Sequence, residues 1–386
     1  MKSSIAGAPG ANRPPSQFGL INLLKVVAAQ LIVLHHLAFY GPMADYVRPI
    51  FPDLIGFLGD SARIAVQVFL VIGGFLAAKS LSPSGLPSHP HPLGAIWHRY
   101  TKLAPPFIAA TLVAAMASAW AGHWMTHDSI SEPATLSQLA AHAVLMHGVL
   151  DYPSLSAGAW YVAIDFQLYA ALVMLLWLAG VLAGKRMVRW LMPLLVAVGI
   201  TLSLLHFNLD AEWDVWAPYF FGSYGLGLMA WWASDPKRSA SAITLIMLGA
   251  LLPALAGLVL EFRSRIALAV VVACVLFVCG RVKTPSTGKA WTTINQLGKI
   301  SYAVFLIHFP VCLLVNAAFT HFVPAEPELQ ALGMLVAWSA SLLAGAVFHH
   351  WVEVPLSRAV QRVSDKVDLR GWLKPENGRP GVVTLR

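Results

Sequence analysis

Ten stretches of roughly twenty mostly apolar residues follow one another with short breaks, at about 19–40, 61–81, 102–121, 160–182, 187–206, 215–233, 241–260, 265–281, 297–319 and 329–351. About twenty apolar residues is the length an α-helix needs to cross a bilayer. In lipid the backbone must satisfy its own hydrogen bonds, so runs of this length are read as helices. Composition agrees, with 58% of the 386 residues hydrophobic and only 11% charged, against roughly 25% charged in soluble domains. The fold class is therefore all-α, a polytopic transmembrane helical bundle of about ten spans.

With the N-terminus in the cytoplasm, the two tails, the even-numbered loops and the helix ends beside them hold 22 of the 26 lysines and arginines. Only Arg48, Arg63, Arg263 and Arg265 fall on the other side. This bias predicts that both termini are cytoplasmic. It also explains the net charge of +8 without a nucleic acid partner. Three parts follow: an N-terminal tail (1–17) rich in Pro, Gly and Ser, a transmembrane domain (18–357), and a basic C-terminal tail (358–386) expected to lie against anionic lipid. The first apolar run carries Lys25 and lacks a small-residue cleavage site, so it is read as a retained helix. Cys274, Cys279 and Cys312 all lie in apolar runs, without metal-ligand spacing, and are read as packing residues. Within 122–159, the stretch TLSQLAAHAVLMHGVL is apolar but short, which suggests a re-entrant or interfacial helix. Chemistry in such a chain belongs inside the bundle or at its mouths.

Ionisable side chains within spans are costly and mark candidate sites. The first run, LKVVAAQLIVLHH, opens with Lys25 and closes with His35 and His36. Lys25 and His36 are eleven positions apart, which at 100° per residue leaves them on one helix face, about 16 Å apart along the axis. A snorkelling lysine and a satisfied core histidine are the plainer readings; His35, a quarter-turn away, is given that plainer role. Asp165, in WYVAIDFQLY, is expected about one turn inside the outer end of the fourth span, at a depth similar to His36. There a carboxylate could orient the imidazole, or simply bond within its own helix. Arg99 and Lys102, three apart in HRYTKLAPP, present one basic edge. With Lys25 they could receive a phosphorylated ligand, or act only as positive-inside anchors. Ser301 and Tyr302 lie near the cytoplasmic end of the ninth span and His308 near its middle. His123, His127, His142 and His147 resemble a metal cluster only loosely, since HWMTH lacks an acidic partner. No metal is expected.

Taken in order, these segments resemble the acyltransferase-3 family of integral membrane acyltransferases. Lys25 and His36 stand where that family has Arg, ten residues, then His. FLVIGGF (69–75) is similar to its Phe-Phe-x-x-Ser-Gly-Phe, and RYTKLAP, with Arg99 and Lys102, to its Arg-x-x-Arg element. WYVAIDFQLY resembles Trp-x-x-x-x-Glu-x-Gln-Phe-Tyr, with Trp160, Asp165, Gln167 and Tyr169. GKISYAVFLIHFP is similar to a late Ser-Tyr…His-x-Pro element, and EVPL (353–356) to a final Glu-x-Pro-Leu. The departures are lysine for arginine at 25 and 102, aspartate for glutamate at 165 and glycine for serine at 73. Lysine keeps the charge but loses the bidentate fork.

The resemblance implies an acyltransferase that moves an acyl group from cytoplasmic acyl-CoA, acetyl-CoA foremost, to a hydroxyl of a sugar or envelope glycan across the membrane. The setting it implies is a bacterial inner membrane. His36 and Asp165 would be catalytic, and Lys25, Arg99, Lys102, Ser301 and Tyr302 would hold the donor. Trp160, Gln167, Tyr169 and His308 would meet the substrate. Expected partners are acyl-CoA, a carbohydrate or glycolipid acceptor and membrane lipids, with a homo-oligomer left open. The competing class is a transporter of an acylated metabolite, or a proton-coupled one, using the same His and Asp. Transporters often carry internal repeats, and this sequence displays none.

Overall fold

A computed structural model describes residues 16–88, 91–281 and 288–366. The expected tails at 1–17 and 358–386 lie largely outside these residues. The described chain is helical, without a strand: α1 (Ser16–Phe39), α2 (Met43–Val47), α3 (Pro52–Gly56), α4 (Val66–Leu81), α5 (Pro92–Ala121), α6 (Leu136–Ala143) and α7 (Ala159–Leu182). Then come α8 (Lys185–Leu205), α9 (Ala217–Ser234), α10 (Ala240–Leu260), α11 (Ser264–Arg281), α12 (Lys289–Phe322), α13 (Pro327–Phe348) and α14 (Val354–Lys366). Nine segments among the described residues are long and apolar enough to cross a membrane, and the protein is a multi-pass membrane protein. The remaining expected run, 215–233, forms α9. It is less apolar than those nine, and most of its residues are buried against other helices.

Two packing arrangements position the interior. The first joins α1 to α12 side by side and parallel. Asn22 donates to Asn295 at 2.9 Å, His36 meets His308 at 2.6 Å, and the Met43 backbone N–H donates to the Asn316 side chain at 3.3 Å. The sequence separations of these pairs are 273, 272 and 273, so one register holds along the whole contact. At the end of α1 the chain turns through Gly41, whose φ of +118° suits glycine alone, directly against the Asn316 side chain.

The second arrangement presses α4 against α9. Gly74 lies on the Tyr224 carbonyl and Gly227 on the Val71 carbonyl, each so close that a Cβ would overlap backbone. Small residues allow this approach where the helix surface offers no hydrophobic discrimination against lipid. The contact places Tyr224, 1% exposed, in the centre of the bundle.

The segment between α5 and α7 does not stay at the surface. Its short helix α6 begins at Thr135, whose hydroxyl accepts from the Gln138 N–H. Two residues past its end stands Leu145, a buried non-glycine residue with φ 59°. The chain then folds back, and Gly158 packs on the Phe305 ring, 2.9 Å from where its Cβ would sit. Part of 122–159, the segment expected to be re-entrant or interfacial, thus packs into the bundle, with His142, Leu145, His147 and Leu155 buried, and α7 starts against Phe305.

Replacing Gly227 by Val should prevent the α4–α9 contact, costing about 3 kcal/mol or more, at the upper end of the overpacking range. Thermal unfolding of detergent-purified protein checks this against Gly56→Ala, a position of ordinary helical backbone with nothing within 4 Å of the new Cβ, which should unfold no earlier than wild type.

Candidate active site

A buried polar contact between α1 and α12 joins two imidazoles. His36 is 7% and His308 0% exposed, and Nδ1 of His36 lies 2.6 Å from Nε2 of His308. Their ring centroids are 4.9 Å apart and their planes within 11°. The nitrogen–nitrogen gap takes up all of that separation beyond the two ring radii, so the rings meet edge to edge. On its other side, His308 Nδ1 lies 3.1 Å from the Val304 carbonyl one turn back. Gly345 on α13 packs directly on Val304, which helps set that turn. His36 Nε2 has no partner among the described residues and is not sealed off. His35 turns away, Nδ1 donating to the Leu58 carbonyl at 2.9 Å.

Asp165 is not beside His36. It is 6% exposed and forms an ion pair and hydrogen bond with Arg99 through Oδ2 and Nη2. The depth expected for Asp165 presumed that its helix begins at the membrane face. Because 122–158 folds inward, α7 begins at the level of Phe305, and one further turn brings Asp165 down to Arg99. The contacts on α5 agree: Phe107 and Phe305 line a small void together, and Tyr302 donates to the Leu103 carbonyl at 3.1 Å. The carboxylate that was expected to orient His36 therefore holds Arg99, and His308 takes its place beside His36.

Four tyrosines surround this ion pair. Arg99 lies over the Tyr169 ring at 5.2 Å, and Tyr161, Tyr224 and Tyr302 are its other electrostatic neighbours. Tyr161 and Tyr224 were missed in the sequence. Tyr161 is one helical turn before Asp165 in the same motif, so the signal was present; Tyr224 arrives through the α4–α9 contact and had no local signal. Arg99, Lys102 and Asp165 are the charged neighbours of Lys25, so the expected basic layer is assembled, with Lys102 exposed and Lys25 half-buried.

The other expected residues fall into place around these two layers. Ser301 donates to Gly298 of its own helix at 2.9 Å, and Gln167 donates to the Leu145 carbonyl at 3.1 Å. Trp160 packs on Phe220, with ring centroids 5.3 Å apart. Between the basic layer and the histidine pair lies an aromatic triangle of Phe69, Tyr161 and Phe305, with centroids 5.4, 5.9 and 6.1 Å apart. No group of three or more His, Cys, Asp or Glu side chains among the described residues is placed to hold a metal. His142 and His147 instead stack face to face at 4.0 Å beside Phe107.

The sequence matches the acyltransferase-3 family ("Acyltransferase domain") over residues 19–350, nearly the whole chain. The chain belongs to this family. No curated protein and no solved structure matches it. Membership makes this protein a membrane acyltransferase, and both the buried histidine pair and the basic cluster lie within the matched span.

In this acyltransferase, Asp165→Asn should lower stability by about 1–2 kcal/mol, less than breaking a fully buried pair costs, because the partner left without a carboxylate, Arg99, has a side chain 30% exposed. Adding Arg99→Met should recover part of that loss, since no lone charge then remains. A double-mutant cycle of thermal unfolding measures the coupling. Strict additivity of the two losses would mean that the pair does not hold α5 to α7.

Proposed function

We propose that the protein is an O-acyltransferase that takes an acyl group, acetyl foremost, from acyl-CoA at the cytoplasmic face. It passes the group to a hydroxyl of a sugar or envelope glycan at the opposite face of a bacterial inner membrane. The observation that carries this reading is a buried histidine, His36, with one ring nitrogen held by protein and the other free, on the same helix face as Lys25. The bias of Lys and Arg supports cytoplasmic termini and a cytoplasmic basic layer.

In this reading Lys25, Lys102 and the donors of Arg99 that Asp165 leaves free bind the anionic phosphates of coenzyme A. The pantetheine arm then spans the ~16 Å rise from Lys25 to His36. His36 takes the proton of the acceptor hydroxyl through Nε2 as general base. The hydroxyl oxygen bonds to the thioester carbonyl carbon and the carbon–sulfur bond breaks. The proton on His36 passes to the departing sulfur, leaving free coenzyme A. Asp165 serves by keeping Arg99 in place at the donor end. Trp160 and Tyr169, both half-buried, are the substrate-facing aromatics of α7 in this scheme.

Purified protein in liposomes, given labelled acetyl-CoA and an envelope extract as acceptor, should transfer label, and His36→Ala should lose at least ~10²-fold in rate. Lys25→Ala should raise KM for the donor with little change in kcat. Equal rates for wild type and His36→Ala would remove His36 from the chemistry. Absence of transfer from any acyl-CoA by wild type would remove the donor.

A further inference from the structure

The contact between His36 and His308 has a direction, and that direction decides which atom of His36 can accept a proton. A carbonyl oxygen only accepts, so the 3.1 Å contact between His308 Nδ1 and the Val304 carbonyl requires a proton on that Nδ1. A neutral His308 then has a lone pair on Nε2. Facing it at 2.6 Å in the plane of both rings, His36 must present N–H from Nδ1. The remaining nitrogen of His36, Nε2, is left as a lone pair, and it is the one without a partner among the described residues.

The opposite polarity needs an extra proton on the pair. His308 would then donate from both nitrogens, and His36 would carry its own proton on Nε2, useless as a base. Nothing nearby compensates such a charge: the ion pairs among the described residues are Arg99–Asp165 and His349–Glu353, and neither ring bonds a carboxylate. An uncompensated charge in a buried, largely apolar interior is costly. His35, the other ring within 5.2 Å of His36, gives its Nδ1 proton to the Leu58 carbonyl, and no hydrogen bond joins it to His36.

We propose that His308 is the positioning residue of this acyltransferase, and that the chain Val304 carbonyl, His308, His36 locks His36 in the Nδ1–H tautomer with Nε2 as its basic atom. This rests on the reading of His36 as general base and assigns His308 a role apart from substrate contact. When the acceptor's proton reaches Nε2, the resulting imidazolium keeps its Nδ1–H on the neutral ring of His308, so the neutral base and its charged form use one geometry. The arrangement does with a second imidazole what a carboxylate does in a serine protease triad.

The test reads the tautomer directly, without needing turnover. Histidine-selective ¹⁵N labelling in bilayers gives ring-nitrogen spectra; subtracting the His36→Gln spectrum leaves, among the 14 histidines, the signals of His36 and of its partner His308, and the His308→Gln spectrum tells the two apart. Wild type should show protonated Nδ1 and bare Nε2. His308→Gln, whose amide oxygen accepts a hydrogen bond, should keep that state, and His308→Phe should lose it. In acetyl transfer, His308→Phe should lose on the order of 10²-fold or more in kcat. Its donor KM should stay within about twofold, because the donor's phosphates bind at the other layer. His308→Gln should retain more activity than His308→Phe. A wild-type His36 that is protonated on Nε2 overturns the proposal, as does a His308→Phe spectrum unchanged from wild type. If wild type shows the Nδ1–H tautomer yet transfers nothing from any acyl-CoA, the histidine geometry stands and the acyl-CoA reading fails.

Discussion

The parallel register of α1 and α12 is the constraint on which the interior depends. Two contacts of α1 with α12, Asn22–Asn295 and His36–His308, share that register, and Met43, at the start of α2 just past the turn, adds a third to Asn316. Slipping one helix by a single turn is a shift of about 5.4 Å and would break all three. Apolar side chains discriminate poorly between such registers in a membrane, because lipid tails are as apolar as leucine. Polar side chains do discriminate, since none finds water to replace a lost partner. A fourth contact, from Trp338 on α13 to Gln30 at 2.7 Å, ties the next helix to the same frame. The histidine pair is therefore both a product of the register and one of the contacts that specify it.

From that frame comes a separation of tasks by depth. The charged side chains, Lys25, Lys102 and the Arg99–Asp165 pair, gather at one level. The neutral, hydrogen-bonded histidines lie at another, with the rings of Phe69, Tyr161 and Phe305 between. Pairing Asp165 with Arg99 lowers the net positive charge at the first level, so that Lys25 and Lys102 carry its excess. Had Asp165 stood beside His36 instead, its charge would have favoured the protonated imidazole, and the basic layer would have kept a third uncompensated cation.

Much of this was legible in the chain before its fold. Run length and charge bias specified helices, their approximate limits and the buried positions worth attention, because bilayer thickness imposes a strong one-dimensional rule. The face shared by Lys25 and His36 followed from helix geometry alone. Asp165 was misplaced for a definite reason: its depth was counted from a helix start assumed to lie at the membrane surface, while 122–158 folds inward and begins α7 at Phe305. Nothing local in TLSQLAAHAVLMHGVL states how far it descends. His308 was noticed as a buried histidine, but its partner is 272 positions away, and only the α1–α12 register brings the two together. Tyr224 depended on Gly74 and Gly227 admitting α9, a property of two helices together.

Two of the chain's departures from the family pattern, glycine at 73 and aspartate at 165, meet in space. A Cβ built on Gly73 would lie 3.0 Å from Asp165 Oδ1, closer than carbon normally approaches oxygen, and in van der Waals contact with the Tyr224 ring at 3.4 Å. The carboxylate thus rests against the bare backbone of α4, where a serine side chain would have to push it or the tyrosine aside. The shorter aspartate does not by itself lose the ion pair with Arg99, because the missing side chain at 73 leaves room for it to approach. Lysine at 25, by contrast, has no such compensating partner nearby: its charged neighbours are Arg99, Lys102 and Asp165, and the carboxylate among them is already bonded to Arg99. In the proposed reading, that leaves the charge of Lys25, on the His36 face of α1, for the phosphates of the acyl donor.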